Sequence, residues 1–230
     1  MPPLLHVKDL SVHYHGTPVI EGVGFDVAPA RCVALIGANG SGKSTVLRVL
    51  SARQEADGGT VLFDGEPVRE QDPDFRRDVA VSMDGGECFP DLTVAEHIRM
   101  VAAAHGLGRK ATTAAADILD HLGLGAHHNA FPDTLSAGQR QALLLSAALV
   151  RPARLLMLDE PEQRLDAGAK ERLADILRQV KQAGTGIVLV SHERALVEAV
   201  ADHVVLLASG RCVAQGEPGH VLSQEAAPWR

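Results

Sequence analysis

Apolar runs of strand type and apolar positions spaced at helical intervals trade places along most of this chain. Residues 5–14 and 23–27 alternate in part between apolar and polar, and 60–63 is a short β-rich run ending in the turn pair Asp64-Gly65. Together they predict an antiparallel β layer. Residues 32–36 (CVALI) are apolar without interruption, as in a strand buried on both faces. From about 93 to 122 the period turns helical. Thr93 and Glu96 have capping-box spacing, Val94, Ile98 and Val101 share one face, and Gly106 is a stop. An Ala-rich helix follows over about 112–122. Strands are predicted at 155–158, 187–190 and 204–207. A helix is predicted at 166–183, with Leu173, Ile176, Leu177 and Val180 facing inward. This order predicts an α/β fold with a largely parallel sheet, an N-terminal antiparallel β layer and an inserted α-helical subdomain. We expect one domain over 1–230, with 1–84 and 140–230 as the core and about 85–139 as the helical insertion.

Composition narrows the partners more than the fold. Aromatics are only 3% of the chain, so Leu, Val, Ile and Ala must fill its core. The net charge of −7, with no basic tail or stripe, argues against nucleic acid as a partner. Cys32, Cys88 and Cys212 are too far apart for metal-ligand spacing and odd in number, so no disulfide framework is expected. No apolar run approaches the roughly 18 residues of a membrane-helix candidate. The opening MPPLLHVKDL lacks the apolar stretch of a signal peptide. The expectation is a cytosolic chain, which can serve a membrane only through another chain that crosses it.

The chemistry lies in three short segments. Gly37, Ala38, Asn39, Gly40, Ser41, Gly42, Lys43, Ser44 and Thr45 match G-x-x-x-x-G-K-[ST] between a predicted buried strand and a helix. Glycines let successive backbone N–H groups turn inward on phosphate oxygens, and the helix adds its positive end. Lys43 supplies a cation to the β- and γ-phosphates and Ser44 a hydroxyl to Mg²⁺, so the segment reads as a P-loop for Mg·ATP. The strand 155–158 then delivers Asp159 to the sheet edge, where it can hold Mg²⁺ through water. Glu160, one residue on, suits the general base for an attacking water. In the third segment, Leu135, Ser136, Ala137, Gly138 and Gln139 open a Leu/Ala-rich helix, and Ser136 and Gln139 again have capping-box spacing.

In this order the three segments resemble the ATP-binding-cassette (ABC) ATPases, whose signature is Leu-Ser-Gly-Gly-Gln; Ala137 replaces one glycine. The resemblance runs from about residue 4 to 215, and it implies a P-loop NTPase core. It implies that Tyr14 stacks on adenine, although a strand aromatic packing locally reads the same way. It also makes Leu165 and Asp166 the loop coupling two sites, and His192 a switch histidine near the γ-phosphate. The other histidines, His127 and His128 included, read most simply as solvated. The family closes as a head-to-tail dimer, homo- or heteromeric. Each ATP then lies between one subunit's 37–45 loop and the other's 136–139 segment. The implied reaction is ATP + H₂O → ADP + Pi, with Glu160 as base and His192 and Lys43 stabilising charge.

The resemblance further implies an ATPase subunit that powers a separate integral membrane subunit, cytoplasmic and peripheral at the inner face of the cell membrane. Residues 84–93 resemble the segment that receives a transporter's coupling helix, yet Cys88 and Phe89 read equally as loop-to-core packing. Two alternatives stay open. One is a non-transport ABC ATPase of DNA repair, ribosome function or cluster assembly. The other is a weakly hydrolysing regulatory subunit. Three positions depart from the family pattern. Ala30 replaces a turn glycine, which is expected to be harmless. Arg164 stands where a small residue is common. Asp84 replaces a glutamine that approaches Mg²⁺.

A carboxylate at position 84 adds negative charge beside a triphosphate, so it should disfavour nucleotide until Mg²⁺ is bound. Nucleotide affinity is therefore expected to depend on Mg²⁺ more steeply in the wild type than in Asp84→Gln, which should hydrolyse at least as fast. Equal dependence in Mg²⁺ titrations of the two proteins would mean that Asp84 faces solvent and only shapes its loop.

Overall fold

The computed structural model describes residues 2–83 and 85–223. The chain opens with β1 (Leu5–Tyr14) and β2 (Thr17–Val27), followed by β3 (Cys32–Ile36), α1 (Lys43–Leu50), β4 (Gly58–Phe63) and β5 (Glu66–Pro67). Next come α2 (Pro73–Asp78), β6 (Val79–Ser82) and three helices, α3 (Val94–Ala104), α4 (Ala111–His121) and α5 (Ala137–Leu149). The remainder alternates through β7 (Leu155–Asp159), α6 (Ala167–Gln182), β8 (Gly186–Val190), α7 (Arg194–Val200) and β9 (His203–Ala208), and closes with β10 (Arg211–Gly216) and α8 (Pro218–Val221).

Two sheets result. The first is antiparallel, in the order β2-β1-β4-β5. Its tight turns use residues that tolerate a left-handed backbone: His15 and Gly16 between β1 and β2, and Asp64 and Gly65 between β4 and β5. The second runs β10-β9-β3-β8-β7-β6, parallel throughout except for the β9–β10 hairpin. The expected parallel core and antiparallel layer are both present. The sequence reading missed β5, β6, β10, α2, α7 and α8, all of them short.

The parallel strands read as unbroken apolar runs because each face is buried in a different core. Leu155 and Met157 of β7, with Val188 and Val190 of β8, pack toward α1 and the antiparallel sheet. Leu156 and Leu158, with Ile187 and Leu189, pack toward α3, α4, α5 and α6. A period of two thus sorts one strand's side chains between two layers. The helical layer forms as the spacing predicts. Thr93 and Ser136 each cap a helix in a complete capping box with Glu96 and Gln139, and Ile98, Leu119 and Leu143 are fully buried.

Ala30 is not harmless. The Arg31 N–H donates to the Ala28 carbonyl at 3.2 Å, closing a turn in which Ala30 follows Pro29 with φ of 58°. A positive φ at the third turn position suits glycine, and a Cβ there costs about 1–2 kcal/mol. Ala30 is exposed, so trimming it loses no packing. After the extra unfolded-state entropy of glycine is subtracted, Ala30→Gly is expected to stabilise by about 0.5–1 kcal/mol. That corresponds to a melting temperature about 1–4 °C higher by calorimetry. A lower melting temperature would show that the turn does not strain Ala30.

Candidate active site

The site forms where three neighbouring parallel strands end. In the order β3-β8-β7, β3 runs into the 37–45 loop, β7 into Asp159 and Glu160, and β8 into His192. The carboxyl edge of such a sheet is where α/β folds bind ligands.

Gly37 and Gly42 stand where a Cβ would crowd its neighbours, whereas Gly40 has open space and a left-handed backbone (φ 78°). A Cβ on Gly37 would lie 2.2 Å from the Leu207 carbonyl oxygen, and one on Gly42 2.3 Å from Ile20 Cδ1. The Ser41 N–H closes the loop on the Ala38 carbonyl at 3.1 Å, while Ala38, Asn39 and Gly40 form its exposed rim. Gly42 caps α1 with its backbone alone, and no side-chain acceptor meets the first-turn N–H groups. Ser41 Oγ is buried and unpartnered. A helix start with no side-chain cap and an orphaned hydroxyl together suit a polyphosphate.

Lys43 is only 5% exposed. Its ammonium donates to the Gly37 and Ala38 carbonyls at 2.9 and 3.1 Å. Burial pulls its pKa below the ordinary lysine value, opposed by the carboxylates of Glu160 and Asp159. Ser44 Oγ donates to Asp159 Oδ1 at 3.3 Å. Two hard oxygens converge there, and among the described residues no cluster of three or more His, Cys, Asp or Glu could hold a metal. Such a site fits Mg²⁺, which takes one or two protein oxygens and completes its shell with phosphate and water.

Glu160 has a left-handed backbone (φ 46°), uncommon for a residue with a Cβ and characteristic of functional turns. Its Oε1 lies 2.8 Å from His192 Nε2. That nitrogen makes no aligned hydrogen bond, so the contact is one of proximity. Glu160 Oε2 accepts from Gln163 Nε2. A carboxylate held beside an imidazole can take a proton from water, and the buried ammonium can face developing negative charge.

Tyr14, at the end of β1, leaves 42% of its surface open while its hydroxyl donates to Gln54 Oε1 at 2.8 Å. Burial would raise its pKa, but hydrogen bonding with Thr45, Gln54 and Arg48 outweighs this and lowers it. The ring thus sits against the start of α1 with a surface free for stacking.

Ser136, Ala137, Gly138 and Gln139 form the first turn of α5 and its cap. Among the described residues no hydrogen bond or ion pair joins them to the 37–45 loop of their own chain. They meet the turn after Glu160 instead: a Cβ on Gly138 would lie 2.6 Å from the Arg164 carbonyl oxygen. Arg164 is itself left-handed (φ 62°), and Asp166 caps α6 by accepting from the Ala169 N–H at 2.7 Å. Asp84 lies outside the described residues.

Two residues near the site escaped the sequence reading. His127 is not merely solvated, because its Nε2 lies 2.9 Å from Gln139 Nε2 in a half-buried contact. Glu162 is buried two residues past Glu160. Its signal was a second carboxylate directly after Pro161, in a segment otherwise read for Asp159, Glu160 and Asp166.

A family model described as ABC transporter matches residues 20–163. The aliphatic sulfonates import ATP-binding protein SsuB 2 of Xanthomonas axonopodis pv. citri is 37% identical over 208 residues, 90% of this chain and 68% of that protein. The Fe(3+) ions import ATP-binding protein FbpC of Streptomyces coelicolor is 36% identical over 231 residues, 98% of this chain and 66% of its own length. The chain thus spans about two thirds of the length of these two relatives. A solved ATP-binding subunit of an ABC transporter superposes with a TM-score of 0.87 at 32% identity, covering 95% of this chain and 92% of that one. A dimeric ATP-binding cassette in a post-hydrolysis state, bound to ADP and Pi, shares the fold with a TM-score of 0.83 at 21% identity, covering 93% and 98%.

The close approach of Gly138 to a backbone oxygen makes a stability test. Gly138→Ala forces the 163–165 turn or the start of α5 to shift, an overpacking cost of about 1–3 kcal/mol. The melting temperature is expected to fall by about 2–10 °C. A melting temperature equal to wild type would mean that the two segments separate freely.

Proposed function

The chain belongs to the ABC transporter family of ATPases, and from that premise we propose that it powers transport by a separate membrane-spanning subunit through an ATP-driven dimer. The observation that carries the reading is the meeting of Glu160 and His192 at 2.8 Å beside the buried ammonium of Lys43. Lys43 and the backbone amides of residues 37–45 hold the phosphates, and the ring of Tyr14 supports the adenine. Ser44 and Asp159 hold Mg²⁺, with Asp84 as a further oxygen donor. That ion, when bound, neutralises charge on the β- and γ-phosphates.

Glu160 accepts a proton from the water that attacks the γ-phosphorus, and ATP becomes ADP and phosphate. Lys43 and His192 face the charge that develops on the transferring group. The Ser136, Ala137, Gly138 and Gln139 of one copy cover the nucleotide of the other, and Asp166 lies at the seam between copies. This arrangement agrees with the lack of bonding between 136–139 and the loop of the same chain. Nucleotide then joins the two copies, and hydrolysis releases them.

In this reading the parts at 1–84 and 140–230 bind nucleotide, while the insertion at about 85–139 carries the signature segment and faces the membrane subunit. Another chain, in the same reading, carries the membrane-spanning part and this one sits against it at the inner face; no described helix is long and apolar enough to cross a membrane. The two relatives described above are import proteins, which favours import.

Glu160→Gln keeps the side chain's shape and removes the base. With Mg·ATP it is expected to lose at least about 99% of turnover and to elute as a dimer, whereas the wild type returns to monomer as ATP is consumed. Wild-type turnover in the variant would remove Glu160 from the role of base. Reconstitution with the integral membrane protein that co-purifies should change the wild-type rate severalfold. A rate indifferent to it would favour the non-transport alternatives.

A further inference from the structure

Glu162 is the buried acid closest in sequence to Glu160, and the hydrolytic scheme does not use it. It is 5% exposed. Its Oε1 accepts two bonds, from Ser191 Oγ at 2.6 Å and from the His192 N–H at 3.0 Å. Ser191, fully buried, passes the link on by accepting from the Glu193 N–H at 3.0 Å. Glu162 Oε2 is buried with no partner.

The place of these bonds decides their meaning. β7 and β8 are paired up to Asp159 and Val190, and the Glu160 N–H adds one more bond, to the Val190 carbonyl at 2.9 Å. Beyond it β7 turns away through residues 161–164, while the Ser191 N–H still donates to the Leu35 carbonyl of β3 at 3.4 Å. Among the described residues no bond of the sheet reaches His192, so the ladder does not fix where His192 lies relative to Glu160. Glu162 spans that gap. A side-chain oxygen accepting a backbone N–H and a hydroxyl from adjacent residues holds the peptide between them at both ends. A side chain retained only for stability would not leave a buried carboxylate oxygen unmatched, since that oxygen costs free energy and returns none.

We propose that Glu162 is a positioning residue: it fixes the peptide between Ser191 and His192 and so holds the His192 imidazole against Glu160. The inference rests on the reading of Glu160 and His192 as the hydrolytic pair. Glu162 acts through His192, so its loss should slow turnover and leave nucleotide binding intact. Its bonds to the turn need an acceptor of the right reach, not a negative charge.

The test uses the whole chain in five variants: Glu162→Ala, Glu162→Gln, Glu162→Asp, His192→Ala and the double variant Glu162→Ala/His192→Ala. Glu162→Ala is expected to lower kcat roughly tenfold or more while KM for ATP stays within about twofold. Glu162→Gln keeps an acceptor oxygen at the same reach and should recover most of that loss. Glu162→Asp keeps the charge but is one methylene short, and should be slow; it carries the test if the alanine variant does not fold. In the His192→Ala background, Glu162→Ala should cost no further turnover. An equal loss in both backgrounds, or a glutamine variant as slow as alanine, would overturn the proposal. The His192 ring resonances of the nucleotide-free protein give an activity-independent readout: they should move in Glu162→Asp and stay in place in Glu162→Gln. If His192→Ala hydrolyses at the wild-type rate, the catalytic reading of His192 falls, and the ring resonances alone still decide whether Glu162 positions it.

Discussion

Val190 is paired on both sides, with Leu35 of β3 and with Asp159 of β7. This double register is the constraint on which the site depends. It sets the last residues of three strands at one level, so that the loop after β3, the carboxylates after β7 and the histidine after β8 leave the sheet together. Parallel strands slip only at the cost of moving every side chain to the other face, and here both faces are full. A slip in β8 would carry Ile187 and Leu189 out of the helical core and drive Val188 and Val190 into it. The two hydrophobic layers therefore hold the active-site geometry, although none of their side chains has a part in the chemistry.

Within that frame the charged groups already face one another before any nucleotide arrives. Lys43 is buried against its own loop's carbonyls and faces Asp159 and Glu160, and His192 sits on Glu160. A triphosphate with its metal brings charge of both signs. It can take Lys43 from its carbonyl partners and offer Asp159 a cation, so bonds are exchanged and not created from nothing. Strain is concentrated here as well: Glu160 and Arg164, four residues apart, both hold left-handed backbones, and both belong to the turn that joins β7 to α6.

Much of this was legible in the sequence, for identifiable reasons. Four of the parallel strands, β3, β7, β8 and β9, announced themselves because burial on both faces demands unbroken apolar runs such as 32–36 and 155–158; the four-residue β6 did not. The helix starts at Thr93 and Ser136 did so because a capping box is a contact between residues three apart. The 37–45 loop was readable because its glycines answer to local sterics. What stayed hidden depends on contacts distant in sequence. Glu162 meets Ser191 across 29 positions, and nothing around either residue marks the other. His127 looked like one of a pair of surface histidines because its partner Gln139 lies one helix further on. The cost at Ala30 was hidden for a different reason: the residue type was visible, but the sign of its φ was not.

Gln139 illustrates how closely one side chain can be specified. Its Oε1 accepts from the Ser136 N–H at 2.9 Å, which leaves its amide nitrogen against His127 Nε2. An amide nitrogen only donates, so the imidazole must present a lone pair there and carry its proton on Nδ1. A glutamate at 139 would cap the helix equally well, but it would set an oxygen lone pair against a nitrogen lone pair unless the ring moved its proton. A helix start of this kind accepts either residue; here the choice between them also sets which ring nitrogen of His127 carries the proton.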